Sequence, residues 1–128
     1  MADSPLSITM PRMYSDEFGE CRFDWVETSL SMKEYAPPAP PVAVSGAMAV
    51  SSCVFMRIPP TFMGDQHPTP RKQLIVCLAG AVRFVSSNGA SHVLNAGQAL
   101  IDANTAGPGH TTEVVSDVPF EGFLIALE

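Results

Sequence analysis

The chain has 128 residues, a length that suits one domain with a sizeable buried core. Apolar residues make up 46% and charged residues only 16%, which excludes a disordered chain. The net charge is −6 and no run of Lys or Arg occurs, so no nucleic-acid partner and no anionic membrane partner is expected.

In chain order, the first residues, Met-Ala-Asp-Ser-Pro, lack the basic start and apolar core of a signal peptide, and a cytoplasmic location is expected. Residues 1–15 read as an N-terminal arm, mobile or pairing with an edge, and residues 16–128 as the folded domain. Cys21 to Glu27 alternates with period two and predicts a strand carrying Phe23 and Trp25. Only residues 29–35 are free enough of Pro and Gly for a helix. Met32 to Gly46, with Ala-Pro-Pro-Ala-Pro-Pro inside it, reads as an extended crossing loop.

Ser51 to Ile58 predicts a strand stopped by Pro59-Pro60. Gln73 to Leu78 and Ala81 to Val85 predict two strands around a tight connection at Ala79-Gly80. Ser87-Asn88-Gly89 predicts a hairpin turn, since Asn-Gly tolerates positive φ. Short strands follow at Ser91 to Leu94, Gln98 to Asp102, His110 to Val115 and Phe120 to Leu127. The longest apolar stretch, Leu74 to Val82, is far shorter than the roughly 20 residues of a membrane helix. Many short strands with turn residues between them indicate an all-β sandwich or barrel.

Cys21, Cys53 and Cys77 are odd in number and widely spaced, with no Cys-x-x-Cys, so they read as small buried hydrophobes. The alternative is that Cys53 or Cys77 lines a pocket as a nucleophile. Three histidines remain, and His92 reads as an ordinary sheet residue. His67 and His110 each sit in a loop-to-strand position beside prolines or glycines.

The segments His67-Pro68-Thr69-Pro70-Arg71-Lys72-Gln73 and Gly107-Pro108-Gly109-His110-Thr111-Thr112 resemble the two motifs of the cupin superfamily. They are most similar to a group of small single-domain cupins with His-x-Ala-Pro-Arg-x-Gln and Gly-x-Gly-His-x-Thr. The spacing of Gln73 to Gly80, and Arg12-Met13-Tyr14-Ser15-Asp16 near the start, extend the resemblance over nearly the whole chain. It implies the cupin double-stranded β-helix, a jelly-roll barrel with a pocket at one end.

In such barrels, strand positions i and i+2 share a face, so His-x-His and a carboxylate from the next strand cage a divalent metal with a third histidine. This chain departs from that pattern. Thr69 stands where the second histidine belongs and Gln73 where the carboxylate belongs. Ala103 stands where the second motif has proline, and two extra residues precede His110. No cofactor is therefore committed. If a metal is bound, it is a weakly held divalent transition metal on His67, Gln73 and His110, with Asp102 as a further carboxylate only if its strand turns that side chain inward, a parity the sequence leaves open. The competing expectation is a metal-free pocket in which His67 and His110 act as general acid and base and Gln73 orients the substrate.

Alternation from Gln73 puts Ile75 and Cys77 on the pocket face, and alternation from His110 puts Thr112 and Val114 there. Phe123 and Ile125, or their neighbours, are expected on the opposite wall. Phe55, Met56, Phe62, Met63, Tyr14 and Trp25 are candidates for its rim. Thr69 and Asp102 complete the expected substrate contacts. Arg57 and Arg71 are the nearby cations, and Arg57 is the candidate partner for a substrate carboxylate.

Three functions remain open. The favoured one is a lyase, isomerase or cyclase acting on a carbonyl-containing, polyketide-like metabolite. The others are a metal-dependent oxygenase and a non-catalytic binding module. A homodimer is expected, through the N-terminal arm and the strand around Phe23 and Trp25.

Overall fold

The computed structural model describes residues 6–128. Among them no helix occurs; the chain forms eleven strands. These are β1 (Ser7–Ser15), β2 (Cys21–Ser29), β3 (Ser31–Lys33), β4 (Val42–Val44), β5 (Val50–Ile58), β6 (Gln73–Ala79), β7 (Ala81–Ser86), β8 (Ser91–Asn95), β9 (Ala99–Ala103), β10 (His110–Val114) and β11 (Phe120–Leu127). A six-stranded sheet has the order β2-β1-β9-β6-β11-β5 and faces a three-stranded sheet, β10-β7-β8.

Alternation decides which side chains meet between the sheets. β7 turns Val82, Phe84 and Ser86 inward, and β9 turns Leu100 and Asp102 inward. With Ile75 and Cys77 of β6, Leu94 of β8, Val114 of β10 and Phe120 of β11, these apolar residues make one core. The predicted hairpin forms between β7 and β8. Gly89 takes φ +90° at its tip, and the Asn88 side chain accepts the Ala90 amide at 3.1 Å.

Residues 62–67 run along the free edge of β10 as an irregular extra strand. The Gly64 amide donates to the Thr112 carbonyl at 2.8 Å, and His67 and His110 exchange backbone hydrogen bonds of 3.0 and 3.1 Å. This edge pairing places the two histidines side by side.

Of the expected N-terminal arm, residues 1–5 lie outside the described residues, and the described part pairs with neighbouring strands. Ser7–Ser15 is strand β1, antiparallel to β2 along its full length and parallel to β9 over Arg12–Tyr14. Met13 is fully buried in the core. Pro11 lies opposite Trp25 in the β2 ladder, one residue before the β9 ladder begins at Arg12. β2, expected to bury the arm across a two-fold axis, pairs with it inside one chain.

Residues 29–35 form no helix. The crossing loop is a two-stranded ribbon instead, with Met32 opposite Ala43 in β3 and β4. No helix among the described residues is long and apolar enough to cross a membrane.

Candidate functional site

Between the two sheets, at the end where residues 62–67 flank β10, the core opens into a cavity of about 310 Å3. Its walls are apolar: Met56 and Ile58 from β5, Phe62, Phe84, Phe120 and Leu124. His67, Thr69, Gln73, Asp102, His110 and Thr112 supply its polar groups. The two imidazoles lie with ring centroids 6.1 Å apart and planes inclined by 29°. His67 is exposed at the mouth, whereas His110 is only 4% exposed and meets the edge of Phe84 at 6.0 Å.

Each ring is oriented by an acceptor. His67 Nδ1 donates to the Asp65 carbonyl at 2.6 Å. His110 Nδ1 donates to Asn104 Oδ1 at 2.8 Å. The Asn104 amide cannot be turned round, because its nitrogen donates to Ser15 Oγ at 2.9 Å and to the Ala106 carbonyl at 3.4 Å. Both rings therefore carry their hydrogen on Nδ1 and leave the Nε2 lone pair free.

Asp102 lies 2% exposed beside this pair, its Oδ2 3.6 Å from His110 Nε2. The Asn104 backbone amide donates to its Oδ1 at 3.1 Å, and the Gln73 amide also hydrogen-bonds this carboxylate. Gln73 Nε2 donates to Thr69 Oγ1 at 3.1 Å, and the Thr69 amide donates to the Asn104 carbonyl at 2.9 Å.

Burial pushes Asp102 up to about 6, against the opposing pull of the Asn104 amide, the Gln73 amide and His67. Burial, and then the charge of His67, pulls His110 down to about 4. The 3.6 Å contact is within ion-pair reach, but burial drives both groups toward their neutral forms. We read the pair as sharing at most one proton rather than as an ion pair.

No known family model matches the sequence, and no curated protein matches it. Solved structures do. A cupin 2 conserved barrel domain protein from Salinispora arenicola superposes with a TM-score of 0.52 at 14% identity, over 79% of this chain and 76% of that one. The chain has the cupin fold.

Two further structures align less well. The conserved SPY1581 protein of unknown function from Streptococcus pyogenes has a TM-score of 0.49 at 16% identity over 59% of this chain; the match spans 62% of that protein, less than two-thirds of its length. The cupin domain of Schizosaccharomyces pombe Cnp3 has a TM-score of 0.48 at 7% identity, over 96% of this chain and 85% of that one.

The cupin barrel brings His67, Thr69, Gln73, Ile75, Asp102, His110 and Thr112 to one cavity, and Phe62 and Met56 join its wall. Five expected pocket residues lie elsewhere, and one of them, Val114, is buried in the filled core. Phe55 and Phe123 are direct cross-strand partners on the outer face, their rings 5.5 Å apart. Arg57, also outside, pairs with Glu121 at 2.6 Å. β5 and β11 are nearly continuous in apolar residues, so alternation could not decide which face points in. Cys77 does share a face with Gln73, but it is completely buried in the filled end of the barrel, away from the cavity lining. Burial raises its thiol pKa, which opposes a nucleophilic role.

Among the rim candidates, Met63 is 67% exposed and Tyr14 stacks under Arg12 at 4.9 Å. Trp25 packs edge-on against His92, 6.0 Å away on another part of the surface. Arg71 donates to Ser51 Oγ at 3.1 Å on the exposed side.

The metal expectation fails on the donor set. Among the described residues no three His, Cys, Asp or Glu side chains group as metal ligands. The Gln73 amide is already committed to Thr69 and Asp102. These residues do not fit a resident metal, and no chemical step here is routed through one.

Sequence reasoning missed Asn104, which is fully buried and orients His110. The signal was present: continuing the β9 alternation from Leu100 through Asp102 reaches Asn104 on the same face.

Proposed function

We propose that this cupin barrel is a small-molecule enzyme in which His67 and His110 move protons on a neutral, enolisable carbonyl compound, as a lyase, isomerase or cyclase does. The supporting observation is the placement of two Nε2 lone pairs on one apolar cavity, their rings 6.1 Å apart. His110, buried and uncharged, takes the proton next to the carbonyl. His67, open to solvent at the mouth, returns a proton and exchanges with water. Gln73 holds Asp102, and Asp102 stabilises the imidazolium that His110 becomes. Phe84, Phe120 and Leu124 exclude water from the reacting face.

Hydrogen–deuterium exchange needs no knowledge of the final product. The full chain in D2O is expected to accelerate α-proton exchange of 6-hydroxy-2-tetralone, an enolisable ketone that also carries an O–H, read by proton NMR. His67→Ala and His110→Ala are each expected to lose about 100-fold or more of that acceleration while remaining folded. A folded double variant that exchanges as fast as the parent sinks the acid/base reading. Absence of exchange in the parent chain points instead to a binding module.

A homodimer belongs to the same proposal, now through the outer edge of β2, where Trp25 is 64% exposed. Sedimentation as a monomer at micromolar concentration removes it.

A further inference from the structure

We infer that the cavity selects uncharged molecules that donate hydrogen bonds, phenols and enols, over anions and over molecules that only accept. This deepens the acid/base reading and rests on it for the choice of cavity.

The donor inventory carries the inference. Most of the polar hydrogens around the cavity are already used within the protein. His67 Nδ1–H goes to the Asp65 carbonyl and His110 Nδ1–H to Asn104. The Gln73 amide serves Thr69 and Asp102, and the Thr69 hydroxyl donates to the Arg71 carbonyl at 3.2 Å. What is left in the cavity lining is His67 Nε2 and His110 Nε2, both lone pairs, beside the Asp102 carboxylate that accepts from the Asn104 and Gln73 amides. Thr112 adds a hydroxyl that can turn either way. His110 Nε2 and Asp102 Oδ2 lie 3.6 Å apart, and at pH 7.5, above the value of about 6 to which burial raises Asp102, the carboxylate carries no proton to offer the imidazole. An O–H from the ligand satisfies the His110 lone pair; an ether or ketone oxygen leaves it unpaired, which is costly beside apolar walls.

Charge points the same way. Among the described residues no Lys or Arg lines the cavity. Arg57 is bound to Glu121, Arg71 to Ser51, and Arg83 to Glu113 at 2.9 Å. A carboxylate or phosphate entering the cavity meets the Asp102 carboxylate and neither Lys nor Arg, so its desolvation is poorly compensated.

The test compares three probes on one ring system by calorimetric titration of the full chain at pH 7.5. They are 1,3-dihydroxynaphthalene, 1,3-dimethoxynaphthalene and 1-naphthoate. The diol is expected to bind at least about 10-fold more tightly than either of the others. His110→Ala is expected to abolish that preference, and His67→Ala, at an exposed position, to reduce it should the first variant not fold. Equal or tighter binding of the dimethyl ether or the naphthoate overturns the inference. So does a preference unchanged in both variants, or no binding of the diol at millimolar concentration. The ranking of affinities stands or falls without any turnover, so its failure is distinct from a failure of the exchange experiment.

Discussion

Gly109→Ala is expected to lower the melting temperature by roughly 10 °C, corresponding to about 3 kcal/mol, and to remove the α-proton exchange activity. Gly109 holds φ at +84°, where an L side chain is strained. A Cβ there would stand 2.1 Å from the His67 carbonyl carbon and 2.3 Å from both the His67 oxygen and the Pro68 nitrogen. All three are backbone atoms and cannot rotate away. The backbone bridge between His67 and His110 must open, and that bridge sets the two rings side by side. Gly89→Ala is the matched control. It has φ +90° and nothing within 4 Å of the added carbon, so it carries the conformational cost alone, about 1 kcal/mol. Equal melting temperatures for the two variants would show that the bridge is not a tight constraint.

Asp102→Asn is expected to raise stability at pH 8 by up to about 3 kcal/mol, with the gain vanishing below about pH 4. Burial raises the folded-state pKa of Asp102 to about 6, from 3.8. The folded chain holds that proton more firmly than the unfolded chain. The stability it confers is present below pH 3.8 and lost as pH rises through 6. The neutral isostere removes this loss. His110 has the opposite sign. Its folded value near 4 lies below the ordinary 6.5, so stability is present above 6.5 and lost as pH falls toward 4. In the parent chain the two slopes oppose each other between pH 4 and 6 and nearly cancel. In Asp102→Asn only the histidine slope is left, and acid weakens the fold from pH 6.5 downward. Melting temperatures between pH 4 and 8 check this; variant and parent curves that stay parallel throughout contradict it.

The variant also tests how the buried pair is arranged. Asp102 lines the cavity, and its Oδ1 accepts the Asn104 amide at 3.1 Å. An asparagine keeps the shape and can offer a hydrogen toward His110 Nε2. The site would then lose one acceptor, and the affinity for 1,3-dihydroxynaphthalene falls with it.

Strand spacing, turn residues and the two histidine segments were legible in the linear sequence. Alternation counted from Gln73 and His110 placed Ile75 and Thr112 on the face that lines the cavity, whereas Ala99-Leu100-Ile101-Asp102 has no polar–apolar alternation, and its inward face was decided only by the sheet. The Asn88-Gly89 turn was equally local. β5 and β11 were not legible in the same way. Their apolar runs fit either face, and only the register of β11 on β6 and of β5 on β11 put Met56 and Leu124 in and Phe55 and Phe123 out. β1 was hidden by Pro11, whose cost depends on a ladder partner that no local reading can see.

The amino-acid order by itself determined that this chain is an all-β domain, poor in cationic clusters, with two histidine-bearing loops. Such features depend on periodicity, composition and φ preference, which act over a few residues. Only the tertiary structure decided that His67 and His110 share one apolar hollow, that Asn104 sets the free nitrogen of His110, and that Arg57 and Cys77 stand aside. Those outcomes depend on strand register and on which buried hydrogens have acceptors, and both are settled between segments distant in the chain.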